Sequence, residues 1–346
     1  MVMDLDIRLG GTIMAQKTYI PVIDYIKAFA MCMVVTTHFF TYDEKDFALF
    51  IYVIQVGMPL FMFIMSYNFA MSADRHHLDS LGALYAPAQL KKHFAGILPA
   101  YTLMALVEAA FHIARGQGAG LGEFLYAYVT GGLDGGSHGG YFFCIYWQFL
   151  LAAPLLYLLV RRWPTQTLLA ALVLDMFYEW LVGAIDIPRA LNRLLFIRYL
   201  FIATFGLYFY LWRGRVKLWW VLAGMACSLC YITALEYFDL DWPLSTYWLN
   251  TNVYASFYFC GIAILAFHFA EYKQLPGRLH TLVRAIGRST WTIYLFQMLY
   301  FRLDWNAPLS GLPLAVEVLI GDAFCVFCGC LWARADAALR YKWRAR

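Results

Sequence analysis

This sequence predicts an all-α, polytopic membrane bundle of about ten transmembrane helices, and three observations carry that reading. Hydrophobic residues make up 62% of the 346 and charged residues only 14%, a balance found in chains whose solvent is lipid. The apolar residues gather into ten runs, roughly 19–40, 50–72, 94–114, 141–160, 165–182, 198–212, 218–238, 251–270, 289–303 and 312–333. A helix of about 20 residues at ~1.5 Å each crosses a ~30 Å hydrocarbon core. Lastly, Lys and Arg collect between alternate runs. Lys45, Arg115, Arg189, Arg193, Arg198 and Arg302 fall on one side and Lys27 within a run, which leaves 19 of the 26 on the other. The basic side faces the cytoplasm, so both termini are expected there. The chain reads as one membrane domain over 1–346, with a polar segment at 1–18 and a basic tail at 335–346. The first apolar run is expected to stay as a membrane helix, because the segment before it is polar and no small-residue cleavage site follows it.

That first run, YIPVIDYIKAFAMCMVVTTHFF over Tyr19–Phe40, holds Lys27 and His38. An ionisable residue inside a span is costly, and its default reading is a functional site facing the bundle interior. Eleven residues at ~100° each return to within about 20° of whole turns, so both side chains share one face, ~16 Å apart along the axis. Lys27 also stands three residues after Asp24, the spacing of a helical ion pair. His38 suits a general base, since imidazole exchanges a proton near neutral pH. It suits equally a structural histidine bonded to a backbone carbonyl.

The second run contains QVGMPLFMFIMSYNF, with Pro59 inside it, which predicts a kinked or broken start. The third opens LKKHFAGILPAY, with Lys91 and Lys92 on the cytoplasmic side. Between the third and fourth lies the outer segment 116–140, GQGAGLGEFLYAYVTGGLDGGSHGG. Its glycines favour mobility, and His138 within it is a second candidate for proton transfer. No strand precedes it and no Lys–Ser/Thr closes it, which argues against a phosphate-cradling loop. The fourth run reads YFFCIYWQFLLAAPLLY, the fifth carries Asp175 and Glu179, and the ninth reads IGRSTWTIYLFQMLYF. Arg189, Arg193 and Arg198 run against the charge bias, either as headgroup contacts or as an anion-facing lip. The pairs Cys227–Cys230 and Cys325–Cys328 sit in apolar runs without His or carboxylate neighbours, so they read as small buried residues rather than zinc or redox pairs. No basic run interleaves with aromatics in the manner of a nucleic-acid surface.

Together these motifs resemble the acyltransferase-3 family. A basic residue, ten spacers and a histidine, just after an Asp, match Asp24, Lys27 and His38. Gly57, Pro59, Leu60, Phe61, Ile64 and Tyr67 match a family stretch, with Met65–Ser66 where the family has Ser–Gly. Ile97, Leu98 and Pro99 match another, although His93 and Gly96 stand where the family typically places two Arg. Tyr141, Gln148 and Pro154 recur at family spacings, and Gln297 occupies the His position of a Tyr–Leu–x–His segment, as in one subgroup. The fifth to eighth and tenth runs match in hydropathy alone.

The resemblance implies a multi-pass enzyme of the inner (plasma) membrane. It would move an acetyl or other short acyl group from cytoplasmic acyl-CoA, in the first place acetyl-CoA, to a hydroxyl of an extracytoplasmic polysaccharide or lipid-linked sugar. His38 is expected as general base, with Glu108 orienting it. Lys27, Lys91 and Lys92 are expected on the donor, and Tyr67, Gln148 and Gln297 at the acceptor. Gln55 and Glu179 join Glu108, Gln148 and Gln297 as polar residues that either serve the site or satisfy kinked backbone. No metal and no nucleic acid is expected, membrane lipid is, and a homo-oligomer stays open. The alternatives are a transporter or flippase with Lys27 and His38 lining its path, and a structural membrane subunit. No inverted repeat is visible, which weighs against the transporter. The charge bias makes its own prediction: reporter fusions at Arg346 and within 131–140 should read out on opposite sides of the membrane, and same-side signals would reject the topology.

Overall fold

The computed structural model describes residues 20–40, 50–116, 120–131, 139–238, 252–272 and 275–344, so His138, Arg8, Lys17, Lys45 and Lys273 lie outside it. Among the described residues the chain is helical, without a strand. Its helices are α1 (Pro21–Thr37), α2 (Gly57–Arg75), α3 (Leu81–Leu84), α4 (Pro87–Ala114), α5 (Leu121–Thr130), α6 (Tyr141–Arg162) and α7 (Pro164–Ala184). They continue with α8 (Arg189–Leu194), α9 (Leu200–Trp212), α10 (Leu218–Phe238), α11 (Val253–Tyr272), α12 (Gly277–Arg288), α13 (Thr290–Arg302) and α14 (Leu314–Arg344).

Seven stretches among the described residues, containing α2, α4, α6, α7, α10, α11 and α14, are long and apolar enough to cross a membrane. The other three predicted runs are helices too, but α1, α9 and α13 have only 17, 13 and 13 residues. Thirteen residues rise about 20 Å, less than a full hydrocarbon core. These short helices are the interior of the bundle: α9 packs on α2, α6 and α7, while α13 packs on α1, α4 and α14. Four helices fall where none was predicted: the short α3 and α8, and the longer α5 and α12. LGEFLYAYVT inside the glycine-rich outer segment forms α5 and docks on α4 through Tyr101 Oη to the Tyr128 carbonyl (2.6 Å) and Thr102 to Tyr128 (2.8 Å). The apolar–basic segment Gly277–Arg288 forms α12, which packs along α1.

The second run does break before its proline. A wide turn over Phe50–Ile54 ends with the Gln55 N–H bonded to the Phe50 carbonyl (3.1 Å), and α2 then starts at Gly57. Pro59 therefore sits in a first helical turn, where its missing N–H has no partner to lose.

Asp175 and Glu179, the two acids of the fifth run, explain how helices can begin inside a bundle. The first N–H groups of a helix lack intrahelical acceptors, and unsatisfied backbone is costly in an apolar interior. Asp175 Oδ2 accepts from the Phe201 N–H (3.1 Å) in the first turn of α9. Glu179 accepts from the Val253 N–H (2.6 Å) and from Asn252 Nδ2 (3.1 Å) at the start of α11. One turn apart on α7, two carboxyl groups thus hold two helix starts. The cysteines divide: Cys325 is buried as expected, but Cys227 and Cys230 lie on the exposed face of α10, where a small apolar residue is at home against lipid.

The α2–α9 seam is tight. A Cβ on Gly206 would collide with the Phe63 carbonyl and stand 3.0 Å from Ser66 Cβ. Because Phe63 O is backbone, the clash has no soft side chain to absorb it, and overpacking of this kind costs about 1–3 kcal/mol or more. Gly206→Val should lower the thermal unfolding midpoint of the detergent-extracted protein by several degrees, whereas Gly214→Ala, which meets nothing within 4 Å, should leave it unchanged.

Candidate active site

The face of α1 predicted from the Lys27–His38 spacing is the wall of a cavity. Lys27, Met31, Val34 and His38 follow one another at intervals of four, three and four residues, one stripe of a helix. The first three line a cavity of about 300 Å³, bounded at the end assigned to the cytoplasm by Lys27, Ser72, His93 and Thr290. It runs past Asn68, Tyr146 and Trp291 to Val34, Met58 and Tyr294. Those last three residues also bound a smaller chamber of about 60 Å³, whose remaining walls include His38, Gln55, Gly57, Gly139 and Tyr141. The two spaces share these walls, with Lys27 lining the larger and His38 the smaller.

Lys27 is anchored at its end of this path. Asp24, 5% exposed, lies 3.4 Å from Lys27 Nζ and 3.4 Å from Arg288 Nε. The i, i+3 pair anticipated from sequence is present, and Arg288 at the end of α12 joins it. The backbone at Asp24 runs so close to Gly287 that a Cβ there would overlap the Asp24 carbonyl, so α12 and α1 meet without a side chain between them.

His38 caps the C-terminus of α1, with φ −84° and ψ −10°. Its ring packs at 5.5 Å from that of Phe301. Two residues earlier, Thr36 Oγ1 donates to Asp322 Oδ2 on α14 (2.5 Å), which fixes the last turn of α1. Gly139 faces the imidazole. A Cβ at that position would stand 3.6 Å from His38 Nε2, 3.5 Å from Gln297 Nε2 and 3.5 Å from Tyr294 Cε2. Gly139 adopts φ +84°, a conformation glycine reaches freely, and its carbonyl accepts from Tyr294 Oη (2.6 Å). His38, Gln297 and Tyr294 therefore surround one point at the outer end of the path.

Several predicted residues land elsewhere. Glu108 meets Arg302, with Oε2 2.6 Å from Nη1, rather than orienting His38. A planar guanidinium offers a part-buried carboxylate a stronger partner than an imidazole. Arg302 Nη2 donates in turn to the Gly131 carbonyl (2.8 Å), so this pair secures the base of the outer segment. Gln148 binds backbone: its Nε2 donates to the Leu194 carbonyl (2.6 Å), and its Oε1 accepts from the Phe196 N–H (3.1 Å). It clamps the irregular stretch between α8 and α9. Tyr67, 5% exposed, packs among Phe209, Tyr210 and Phe267, on the side of α2 turned away from the cavity. Lys91 and Lys92 are exposed on α4, Lys92 Nζ standing 3.4 Å from His76 Nε2. The neighbour that reaches the cavity is His93, stacked on Phe69 at 6.4 Å. Of the outer arginines, Arg193 and Arg198 lie over the ring of Tyr141, at 4.6 and 5.7 Å, beside the His38 chamber.

Sequence reasoning passed over Val34, Met58, Trp291 and Tyr294. Val34 was legible in the stripe shared with Lys27 and His38. Trp291, Tyr294 and Gln297 repeat at intervals of three, the spacing of a single helix face, so α13 carried a matching signal. Met58 had none.

The crowding at Gly139 gives a direct test. Gly139→Val places a branched side chain between His38, Gln297 and Tyr294 and forces φ +84° on a β-branched residue. Displacement of reacting groups by about 1 Å can cost on the order of 10²-fold in rate. Turnover should fall by that order while membrane insertion persists; wild-type turnover would show that this point is not where the substrate reacts.

No curated protein and no solved structure matches the chain. The acyltransferase-3 family model, an acyltransferase domain, matches residues 20–333, which takes in every helix from α1 to most of α14 and both cavities. This chain therefore belongs to the acyltransferase-3 family and is a multi-pass, membrane-embedded acyltransferase.

Proposed function

We propose that the protein transfers an acetyl or similarly short acyl group from cytoplasmic acyl-CoA to a hydroxyl of an extracytoplasmic polysaccharide or lipid-linked sugar, in the inner membrane, with His38 as general base. One observation carries this reading: Lys27 lines one cavity and His38 a second beside it, and the two share the walls Val34, Met58 and Tyr294. A donor whose nucleotide stays outside the membrane needs such a path for its pantetheine arm. The nucleotide would sit near His93, Lys92 and Lys91, with Lys27 drawing the first phosphate inward. Trp291 supports the assignment. Its Nε1 is buried without a hydrogen-bond partner among the described residues, and it lines the larger, mostly apolar cavity. A buried N–H left unpaired is costly, and the amide carbonyls of a pantetheine arm would supply the acceptor. The ~60 Å³ chamber at His38 suits an acyl group of a few heavy atoms.

In the reaction, His38 takes the proton of the acceptor hydroxyl as its oxygen attacks the thioester carbonyl. The carbon–sulfur bond then breaks, and the imidazolium returns the proton to the CoA thiolate. A well-placed base is worth about 10²–10⁴-fold. His38→Gln keeps the size of the residue but cannot accept a proton near neutral pH. Acyl transfer by the purified variant, at saturating acetyl-CoA and with isolated envelope glycan as acceptor, should fall by that factor. A near wild-type rate would remove His38 from the chemistry.

A further inference from the structure

The chamber around His38 contains a second polar group that the transfer step leaves unused. Gln55 lines the same small space as His38, and its Oε1 is buried without a hydrogen-bond partner among the described residues. The backbone beneath it is firmly held. Its N–H bonds to the Phe50 carbonyl (3.1 Å), closing the wide turn before α2. Two residues on, Gly57 presses against α1 so closely that a Cβ would stand 2.8 Å from the Ala30 carbonyl and 2.8 Å from Val34 Cγ2. On the other side of the turn, the Tyr52 carbonyl accepts from Tyr258 Oη (2.9 Å), and Tyr52 Oη bonds to Thr233 Oγ1 (2.7 Å). The amide is thus presented to the chamber by fixed backbone.

A buried carbonyl oxygen calls for a donor, because leaving it unmet has a free-energy cost. The reacting hydroxyl cannot be that donor, since its one proton goes to His38. We infer that Gln55 reads a second hydrogen-bond donor on the acceptor, next to the hydroxyl that is acylated. This rests on the reading of the chamber as an acyl-transfer site and narrows its acceptor. The preferred acceptor carries a vicinal hydroxyl or an amide N–H beside the reacting hydroxyl, as a sugar ring does and an isolated alcohol does not. Discrimination follows from the same physics. A site built to bond a donor rejects an analogue lacking it, because the site's own polar group is then buried unpaired.

The test uses the full-length protein in nanodiscs with labelled acetyl-CoA. The probe acceptors are methyl glucoside, its monodeoxy analogues and the methyl glycoside of N-acetylglucosamine. Wild type should lose about tenfold or more in kcat/KM on at least one monodeoxy analogue that keeps the reacting hydroxyl. Where the sensitive analogue is the 2-deoxy one, retention on the N-acetyl probe shows that an amide N–H serves as the donor read, and loss identifies a hydroxyl. Gln55→Met, close in volume but without an acceptor atom, should use parent and deoxy probes equally. Gln55→Glu, which keeps the oxygen, should restore the preference. The inference is overturned if Gln55→Met preserves the wild-type ratio, if wild type takes parent and deoxy probes alike, or if it acylates none of them. His38→Gln run in parallel keeps the two readings apart: a variant that still transfers with the wild-type ratio defeats the base assignment and leaves the role of Gln55 standing.

Discussion

A cation and an imidazole on one apolar helix set the constraint that the remaining structure answers. Neither can be left facing hydrocarbon, so α1 has to be wrapped by protein along the stripe that carries Lys27, Met31, Val34 and His38. Helices α2, α4, α6 and α13 supply the wrapping, and the space left between them is the path that the stripe lines. The two ends are secured differently. At the Lys27 end the device is electrostatic, with Asp24 shared between Lys27 and Arg288. At the His38 end it is a set of hydrogen bonds to backbone and to Asp322. A charge pair suits the end nearer water, where long side chains adjust to an entering ligand, and directional hydrogen bonds suit the end where geometry must be held.

Glycine backbone does much of the positioning near His38. Gly139 leaves the imidazole, Gln297 and Tyr294 open to a common point, and its carbonyl is tied to Tyr294. Gly131 and Gly140 approach so closely that neither has room for a Cβ, and Arg302 bonds the Gly131 carbonyl while paired with Glu108. The Glu108–Arg302 pair thereby reaches the site through backbone it holds in place. Breaking such a part-buried pair from either side would leave a charge without its partner, which makes both residues structural supports of the chamber.

Several buried polar side chains serve the fold by completing backbone hydrogen bonding. Asp175, Glu179 and Gln148 each bond main-chain groups where a helix starts inside the bundle or where the chain is irregular. This is what a bundle with broken helices requires of its polar residues. It also separates them from Gln55 and Trp291, whose buried polar atoms face the cavities rather than the backbone.

The sequence by itself determined the helical membrane class, the position of the ten apolar helices, and the one-face relation of Lys27 and His38, because these depend on hydropathy and helical period alone. It also singled out Gln297, through a motif resemblance, which the structure brings beside Gly139 near His38, and the spacing of Trp291, Tyr294 and Gln297 was there to be read. Only the tertiary structure decided what each remaining polar residue meets. Glu108 turned to Arg302, Gln148 and Glu179 turned to backbone, Tyr67 turned into an aromatic cluster, and His93 rather than Lys91 or Lys92 reached the cavity. The physical reason is that lipid and protein interior are equally apolar, so a membrane helix such as α4 is hydrophobic on most of its circumference and its periodicity hardly marks an inward face. With that signal weak, the partner of a polar side chain is fixed by which helices pack together, and that is a property of the assembled bundle.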